Sequence, residues 1–497
     1  ISLQEIIASI NGNNANERII EHLELDKDVL QLIAVNINYS VKQSLDEAIF
    51  KTNTFANDES VDVLKRSLKV MNKFPRLSET EIATPAKIAE DMVAMIPESA
   101  INSNTKILDI ASKEGEFAMA LYSKYGETVK KNIYSIPTSN IAYEFTRKIY
   151  ENFELPLENI LPIYSPDLIN DDKNETIINM LQDMKFDVII GNPPYQQGDG
   201  GAGVSAKPIY NEFVDIAKLL KPSYFSAIIP AKWYNGGKGL ERFRNMMLND
   251  KSIMQLVDFT DEHDCFPVVD VAGGICYFLW GKEYNGLCEY RTQHKGLRSY
   301  PVKRNLGEFE QFLRFTESVG IINKIKNNTN SYLNSLVRPR KPFGLSTNVQ
   351  PLKTGDVILR FNGGLGYYNK KEILQGKELI DKWKIITSRL TAEHAGQFDK
   401  DGKKRLISTL EILEPNAICS ETYLLLNAFE TKKEALNFYN YIKTKFVRFL
   451  ISMVTGTQQL ARANFSLVPV LDYNESWIDE KLYKKYLELA KLAETIN

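Results

Sequence analysis

"FDVIIGNPPYQQGDGG" runs from Phe186 to Gly201. Phe186 to Ile190 are mostly apolar, and their short length and β-branched content predict a buried strand. The run stops at Asn192-Pro193-Pro194-Tyr195, and glycines follow. Two prolines fix φ and remove two backbone donors, so neither a strand nor a helix continues through them. They form a stiff ledge whose carbonyl oxygens are free of ladder bonds. Asn192 adds a side-chain oxygen acceptor, and Tyr195 adds a flat aromatic face.

Such a corner can accept both hydrogens of an exocyclic amine while a ring stacks on the attached base. That is what methylation of an aromatic amine requires. The nitrogen lone pair is delocalised into the ring, which makes the amine a weak nucleophile. Two acceptors pulling on its N–H bonds favour a tetrahedral nitrogen whose lone pair faces a sulfonium methyl. Orientation and stabilisation of developing positive charge then carry the catalysis. A base inside a duplex is out of reach and must be flipped out, at a cost of a few kcal/mol.

Around the corner the pattern alternates strand and helix. "TKILDIA", "KNIYSIP", "NILPIYSPDL", "FDVIIGN", "SYFSAIIPAKW", "IMQLVDF" and "GGICYFLW" read as strands. "GEFAMALYSKYG", "TSNIAYEFTRKIYENF", "KPIYNEFVDIAKLLK" and "GLERFRNMMLND" read as helices. Strands alternating with crossover helices predict a parallel sheet covered on both faces. Ligands bind such sheets beyond the carboxyl ends of the strands, where Asp109, Asp167 and Asn192 all fall. Residues 1–78 read as a helical region, with "SLQEIIASI", "DKDVLQLIAVNI" and "SVKQSLDEAIF" periodic at three and four. Residues 79–308 hold the strand-helix alternation. Residues 309–497 read as an irregular α+β domain of basic, glycine- and aromatic-rich loops, with one long amphipathic stretch at "TKKEALNFYNYIKTKFVRFLISMV".

The chain has 497 residues and a formal net charge of −2, which gives no global nucleic-acid signal. The distribution is more telling. Residues 331–410 hold about 15 basic and 7 acidic side chains, whereas the first hundred residues carry a net charge of about −6. The basic segment suits a phosphate backbone. Its alternative reading is an ordinary solvated face. Four cysteines lie far apart without a C-x-x-C pair, and four histidines are scattered, so no metal site is expected. No apolar run approaches the roughly 18 residues of a membrane span. A reduced, cytoplasmic protein is expected, with no membrane partner.

The strand-Asn-Pro-Pro-Tyr unit resembles the catalytic motif of amino-group S-adenosylmethionine methyltransferases. "ATPAKIAEDMV" (83–93), "ILDIASKEGEF" (107–117), "SPDL" (165–168) and "CFPVVDVAGGICYFLW" (265–280) follow in the order seen in Eco57I-like and TaqI-like N6-adenine DNA methyltransferases. The likeness is close over about residues 80–300 and looser beyond, at "RKPFGLSTN", "SRLTAEHAG" and "ARANFSLVPVLD". It implies an α/β fold: a Rossmann-like class I methyltransferase sheet with an N-terminal helical segment and a C-terminal α+β target-recognition domain. It also implies S-adenosyl-L-methionine as cofactor, double-stranded DNA as substrate and a restriction or specificity subunit as partner. By position, Asn192 and the Pro193 carbonyl accept the amine hydrogens, with Pro194 stiffening the corner. Tyr195 and Phe266 sandwich the base. Thr84, Pro85, Asp109, Gly115, Phe117, Asp167 and Leu168 line the cofactor site. Arg338, Arg340, Lys341 and Arg389 contact DNA.

Two positions depart from the family pattern. Lys113 stands where the first glycine of the cofactor loop belongs, and a β-carbon there crowds a close approach. The strand that usually ends in a ribose-holding acid reads "IYSIPTS", with Pro137 at that place and Thr138 and Ser139 after it. These departures leave open a non-catalytic DNA-recognition subunit. N4-cytosine methylation is the chemical rival, although that class more often has Ser at the place of Asn192. "QQGDGGAGVSAK" reads as a floppy loop or a lid. "NGGKGLERFR", with Lys238 and Arg242, reads as a turn opening a helix, "DKDGKK" as a hairpin tip and His394 as a polar loop residue.

Overall fold

A computed structural model describes residues 18–19, 21–24, 26–74, 77, 81–170, 172–196, 207–234, 239–269, 271, 273–309, 312–390, 406–455 and 459–486. The "QQGDGGAGVSAK" loop beyond Gln196, "DKDGKK", His394, Lys238 and the "SLQEIIASI" helix lie outside the described residues. The chain divides into two units. One comprises Ile1–Ala231 with Asn249–Asn305, and the other Lys232–Leu248 with Leu306–Asn497.

The first unit is built on a nine-stranded sheet. Its strands are β1 (Ile107–Ser112), β2 (Ile133–Pro137), β3 (Val188–Gly191), β4 (Tyr224–Pro230), β5 (Ile253–Phe259), β6 (Ile275–Gly281), β7 (Cys288–His294), β8 (Leu297–Arg298) and β9 (Val302–Arg304). The order is β2-β1-β3-β4-β6-β5-β7-β8, with β9 also on β7. This is the Rossmann-like α/β sheet expected for a class I methyltransferase. β2, β1, β3 and β4 are mutually parallel, and all six residues of β1 and all four of β3 are buried, as parallel strands covered on both faces must be.

Two strand expectations are corrected. The sheet is mixed, because β6 runs antiparallel to both β4 and β5. Among the described residues, the connection from β5 to β6 forms a 3-10 turn at Glu262–Asp264 and no α-helix, whereas a parallel return usually takes a helical crossover. "NILPIYSPDL" is not a strand. It meets the sheet at a single parallel bridge, Ser135 with Ile160, and then winds into a 3-10 turn over Ser165–Ile169. Pro162 and Pro166 lack the N–H that a ladder would use.

Helices Ala86–Met95, Glu116–Tyr125, Asn140–Asn152, Asn174–Met184 and Tyr210–Leu219 surround the sheet. Of the two residues expected to open the third of these, Ser139 is the cap and accepts from Ala142 N at 3.2 Å. Three earlier helices, Lys27–Asn36, Tyr39–Ala56 and Val63–Met71, are capped by Asp26, Asn38 and Asp62. The preceding residues dock on the sheet-covering helix: Arg18 clamps Glu144 through two nitrogens at 2.7 and 2.6 Å. His22 bridges Glu144 at 2.8 Å and the Tyr164 hydroxyl at 3.0 Å.

The second unit is α+β. β10 (Val357–Phe361) pairs antiparallel with β11 (Gly364–Tyr368) and parallel with a later strand, Ala417–Cys419. A second sheet places Trp383–Ser388 between Leu410–Leu413 and Tyr423–Phe429. The long amphipathic stretch is two helices, Lys432–Lys443 and Lys445–Met453. Thr444 separates them with an extended ψ of 150° and caps the second through Val447 N. A threonine hydroxyl that satisfies a new helix start competes with continuing the old helix. Among the described residues, no helix is long and apolar enough to cross a membrane.

Candidate active site

β1 and β3 are neighbours in the sheet, with Asp109 in register with Ile190. Their carboxyl ends therefore deliver the two chemically marked stretches side by side. Gly191 makes this approach possible: a β-carbon there would lie 2.9 Å from Ile110 Cγ2 and 3.5 Å from Asp109 Oδ1. Immediately after it, Asn192 is only 1% exposed. Its Nδ2 donates to the Ile82 carbonyl at 3.0 Å and to Thr84 Oγ1 at 3.1 Å. A carbonyl can only accept, so this contact fixes which end of the amide is nitrogen. Oδ1 consequently points the other way, buried and without a partner among the described residues.

The cofactor loop continues from β1. Gly115 sits in the left-handed region at φ 74°, and a β-carbon on it would come within 3.0 Å of Ile149. Only glycine adopts that conformation readily. Glu116 then opens the helix Glu116–Tyr125, where a negative charge suits the first turn. Its fully buried carboxylate accepts from Thr84 N at 3.2 Å and Glu114 N at 2.9 Å. Glu116 thereby ties the Thr84-Pro85 segment to the cofactor loop. Phe117 and Leu168 are wholly buried, and Pro85 is half-buried where it starts the helix Ala86–Met95.

Acidic groups dominate this pocket. The Asp109 carboxyl is fully buried; Oδ1 accepts from Ala111 N at 3.2 Å, and Oδ2 has no partner among the described residues. Burial, with the neighbouring Glu116 charge, pushes the Asp109 carboxyl well above the usual carboxylate range. Burial and Glu116 likewise push Glu114 up to about 9, and Glu114 Oε1 has no partner among the described residues. Lys113 is 1% exposed, and its ammonium donates to the Asn192 backbone carbonyl. Burial pushes its pKa down, against the pull of Glu116, Asp109, Glu81 and Glu114.

Glu81 is the residue that sequence reading missed. It accepts from Thr138 Oγ1 at the end of β2, 57 positions away. A carboxylate therefore stands beside the end of β2. Nothing in "SETEIATP" marks it, because only the folded approach of that loop to β2 brings the two together.

Asp167 is engaged elsewhere: its carboxylate accepts from Tyr164 N at 3.2 Å and from Lys173 Nζ at 3.0 Å. Pro193 is buried and Pro194 half-buried. Tyr195 is half-buried as a whole, but its hydroxyl is turned inward without a partner among the described residues, and burial beside Cys265 and Cys276 raises its pKa well above the ordinary value. Phe266 is 2% exposed in the same cluster. Both residues named for base stacking are thus neighbours of one core, and the Phe266 ring is covered.

The four basic residues named for DNA share one neighbourhood in the second unit. Glu421, 7% exposed, accepts from Arg340 at 2.9 Å and from Thr347 N at 3.1 Å, with Lys341 at 3.8 Å. Arg389 is half-buried, and burial together with the Arg340 charge lowers its pKa. Arg338 is exposed, 3.9 Å from Glu378. Glu421 was not legible as an organiser, because it lies some eighty residues from Arg340.

Residues 56–266 match the family model of the Eco57I restriction-modification methylase. That stretch is similar to the Eco57I methylase family. An uncharacterised adenine-specific methylase of Mycoplasma pneumoniae is 41% identical over 143 residues, covering 27% of this chain and 33% of that relative. The match thus spans a third of the relative's length. The type I restriction-modification methyltransferase subunit of Streptococcus thermophilus overlaps 66% of this chain and 74% of its own, at 13% identity and a TM-score of 0.39. A nuclease-deletion mutant of the type ISP restriction-modification enzyme LlaGI, in complex with a DNA substrate mimic, overlaps 98% of this chain and 62% of its own, at 11% identity and a TM-score of 0.46. Asn192, Thr84, Asp109 and Phe266 all fall inside the Eco57I methylase stretch, and the Glu421 cluster lies outside it.

Proposed function

We propose that the chain is a site-specific DNA methyltransferase acting on the N6 amine of adenine within a restriction-modification system. The observation that carries this reading is Asn192 Oδ1: buried, without a partner among the described residues, and aimed by two hydrogen bonds on the opposite end of its own amide. A buried acceptor left without a donor costs about 1–3 kcal/mol, so such an atom at a strand end marks a place for a ligand N–H.

Asp109 Oδ2 and Glu114 Oε1 find no donor among the described residues, and a cationic ligand beside them, such as S-adenosyl-L-methionine, would favour their ionised forms. When bound, it supplies an electrophilic methyl on a positively charged sulfur. Asp109, Gly115, Phe117, Thr84, Pro85 and Leu168 would hold it, with Glu81 as acceptor at the end of β2. Asn192 Oδ1 and the Pro193 carbonyl would accept hydrogen bonds from the two amine hydrogens, which turns the nitrogen lone pair out of the ring, and the surplus proton of the methylated amine would pass to solvent water. The target base would have to leave the duplex to reach this corner, and Tyr195 and Phe266 would move to present their faces to it. Arg338, Arg340, Lys341 and Arg389 would contact the DNA backbone from the second unit.

The test is mass spectrometry of nucleosides from duplex DNA incubated with the protein and S-adenosyl-L-methionine. N6-methyldeoxyadenosine is expected. Exclusive N4-methyldeoxycytidine, or no modified nucleoside with DNA spanning all short sequence contexts, would overturn the assignment.

A further inference from the structure

Lys113 leaves β1 at the turn that leads into the helix Glu116–Tyr125 and ends on the Asn192 carbonyl, at the end of β3. These strands are adjacent and parallel, so the side chain crosses the crevice beyond their carboxyl ends, where ligands of such sheets lie. It is 1% exposed. Glu116, Asp109, Glu81 and Glu114 all pull the Lys113 pKa up against the lowering by burial. Asp109 Oδ2 and Glu114 Oε1 still find no donor among the described residues. The site thus keeps polar atoms that the described residues do not satisfy. Asp109 and Glu114, pushed toward their neutral forms by burial, ionise more readily with a cation beside them, so the site favours a cation in place of Lys113.

Resting on the methyltransferase reading above, we propose that Lys113 is a displaceable bar across the methyl-donor pocket. Its ammonium holds the position that a sulfonium ligand takes over when Lys113 swings out. The lysine stem has four rotatable carbons and springs from a loop, so withdrawal requires no movement of a strand. Two cations in one low-dielectric pocket repel, so insertion of Lys113 and binding of the donor compete. Apparent donor affinity is therefore lowered by the fraction of molecules in the barred form. Exchange of one cation for another keeps a cation beside the acids. The spent product, S-adenosylhomocysteine, has a neutral sulfur and offers no such exchange, so the pocket favours donor over product.

The experiment uses the full chain. Calorimetry with S-adenosyl-L-methionine and S-adenosylhomocysteine is run on the natural protein, Lys113→Ala and Lys113→Gly. In parallel, an amine-acylating reagent is applied to the natural protein with and without donor, and Lys113 labelling is read by peptide mass spectrometry. Both variants should bind the donor at least about tenfold more tightly than the natural protein. Lys113 should be protected without donor and labelled with it. The labelling arm decides the matter on the natural protein even where a variant fails to fold. Donor binding by the natural protein with no gain in the variants and with Lys113 still protected would remove the bar and leave the methyltransferase reading intact. Absence of donor binding by all three proteins would remove both.

Discussion

Thr84 Oγ1 accepts from Asn192 Nδ2 at 3.1 Å, which joins the segment before the helix Ala86–Met95 to the Asn-Pro-Pro-Tyr corner. Together with the Ile82 carbonyl at 3.0 Å, this contact aims Asn192 Oδ1. Thr84→Val keeps the volume and removes the acceptor. A hydrogen bond of this kind contributes about 1–1.5 kcal/mol, so turnover should fall about tenfold, and Thr84→Ser should restore it. Steady-state kinetics with duplex DNA checks this; unchanged kcat in the valine variant would show that Asn192 needs no such aim.

Gly191 sets the spacing between β3 and β1. Gly191→Ala would press a methyl into Ile110 Cγ2 at 2.9 Å. Overpacking of this kind costs about 1–3 kcal/mol. Thermal melting should show a lowered Tm, and turnover should drop further than stability, because Asn192 is carried by the displaced strand end. An alanine variant with the parent's Tm and kcat would contradict the close approach.

The Glu114 carboxyl is raised from 4.5 to about 9 by burial and by Glu116. Its protonated form is therefore favoured in the folded state. That contribution is complete below about pH 4.5 and is lost as pH rises through about 9. Asp109, raised by burial, adds a slope of the same sign. Melting curves across this window should show Tm falling with pH, and Glu114→Gln should flatten the fall. A slope identical in both proteins would mean that Glu114 titrates normally.

Arg340 and Lys341 flank Glu421 in the second unit. If they meet phosphates, Arg340→Ala should weaken binding to all duplexes alike. It should also reduce the slope of log affinity against log salt by about 0.9. Fluorescence anisotropy at several ionic strengths measures both. A loss confined to one sequence would instead assign Arg340 to base reading.

What the sequence made legible follows its chemistry. Phe186–Ile190 is short, apolar and β-branched, and the prolines after it end a strand, so the corner at Asn192 was legible in the sequence. "NILPIYSPDL" looked like its neighbours in hydropathy, but Pro162 and Pro166 deny it a ladder. β6 carries a strand pattern that says nothing of direction; direction came from the connection. Thr444 resembled any threonine in an amphipathic run, and its capping role depends on backbone conformation. Lys113 and Glu81 were the least legible. Lys113 was readable as a misfit in the cofactor loop, but its contact with the Asn192 carbonyl and the pull of the acids on it exist only once β1, β2 and β3 lie side by side.

The central claim is that Asn192 grips the amine that becomes methylated. The most direct measurement is the yield of N6-methyldeoxyadenosine per protein for the natural chain and Asn192→Ala, alongside DNA affinity. Methylation should fall at least about a hundredfold, on the scale of removing one aimed acceptor from a transition state, while DNA affinity holds. Full methylation by the alanine variant would contradict the account.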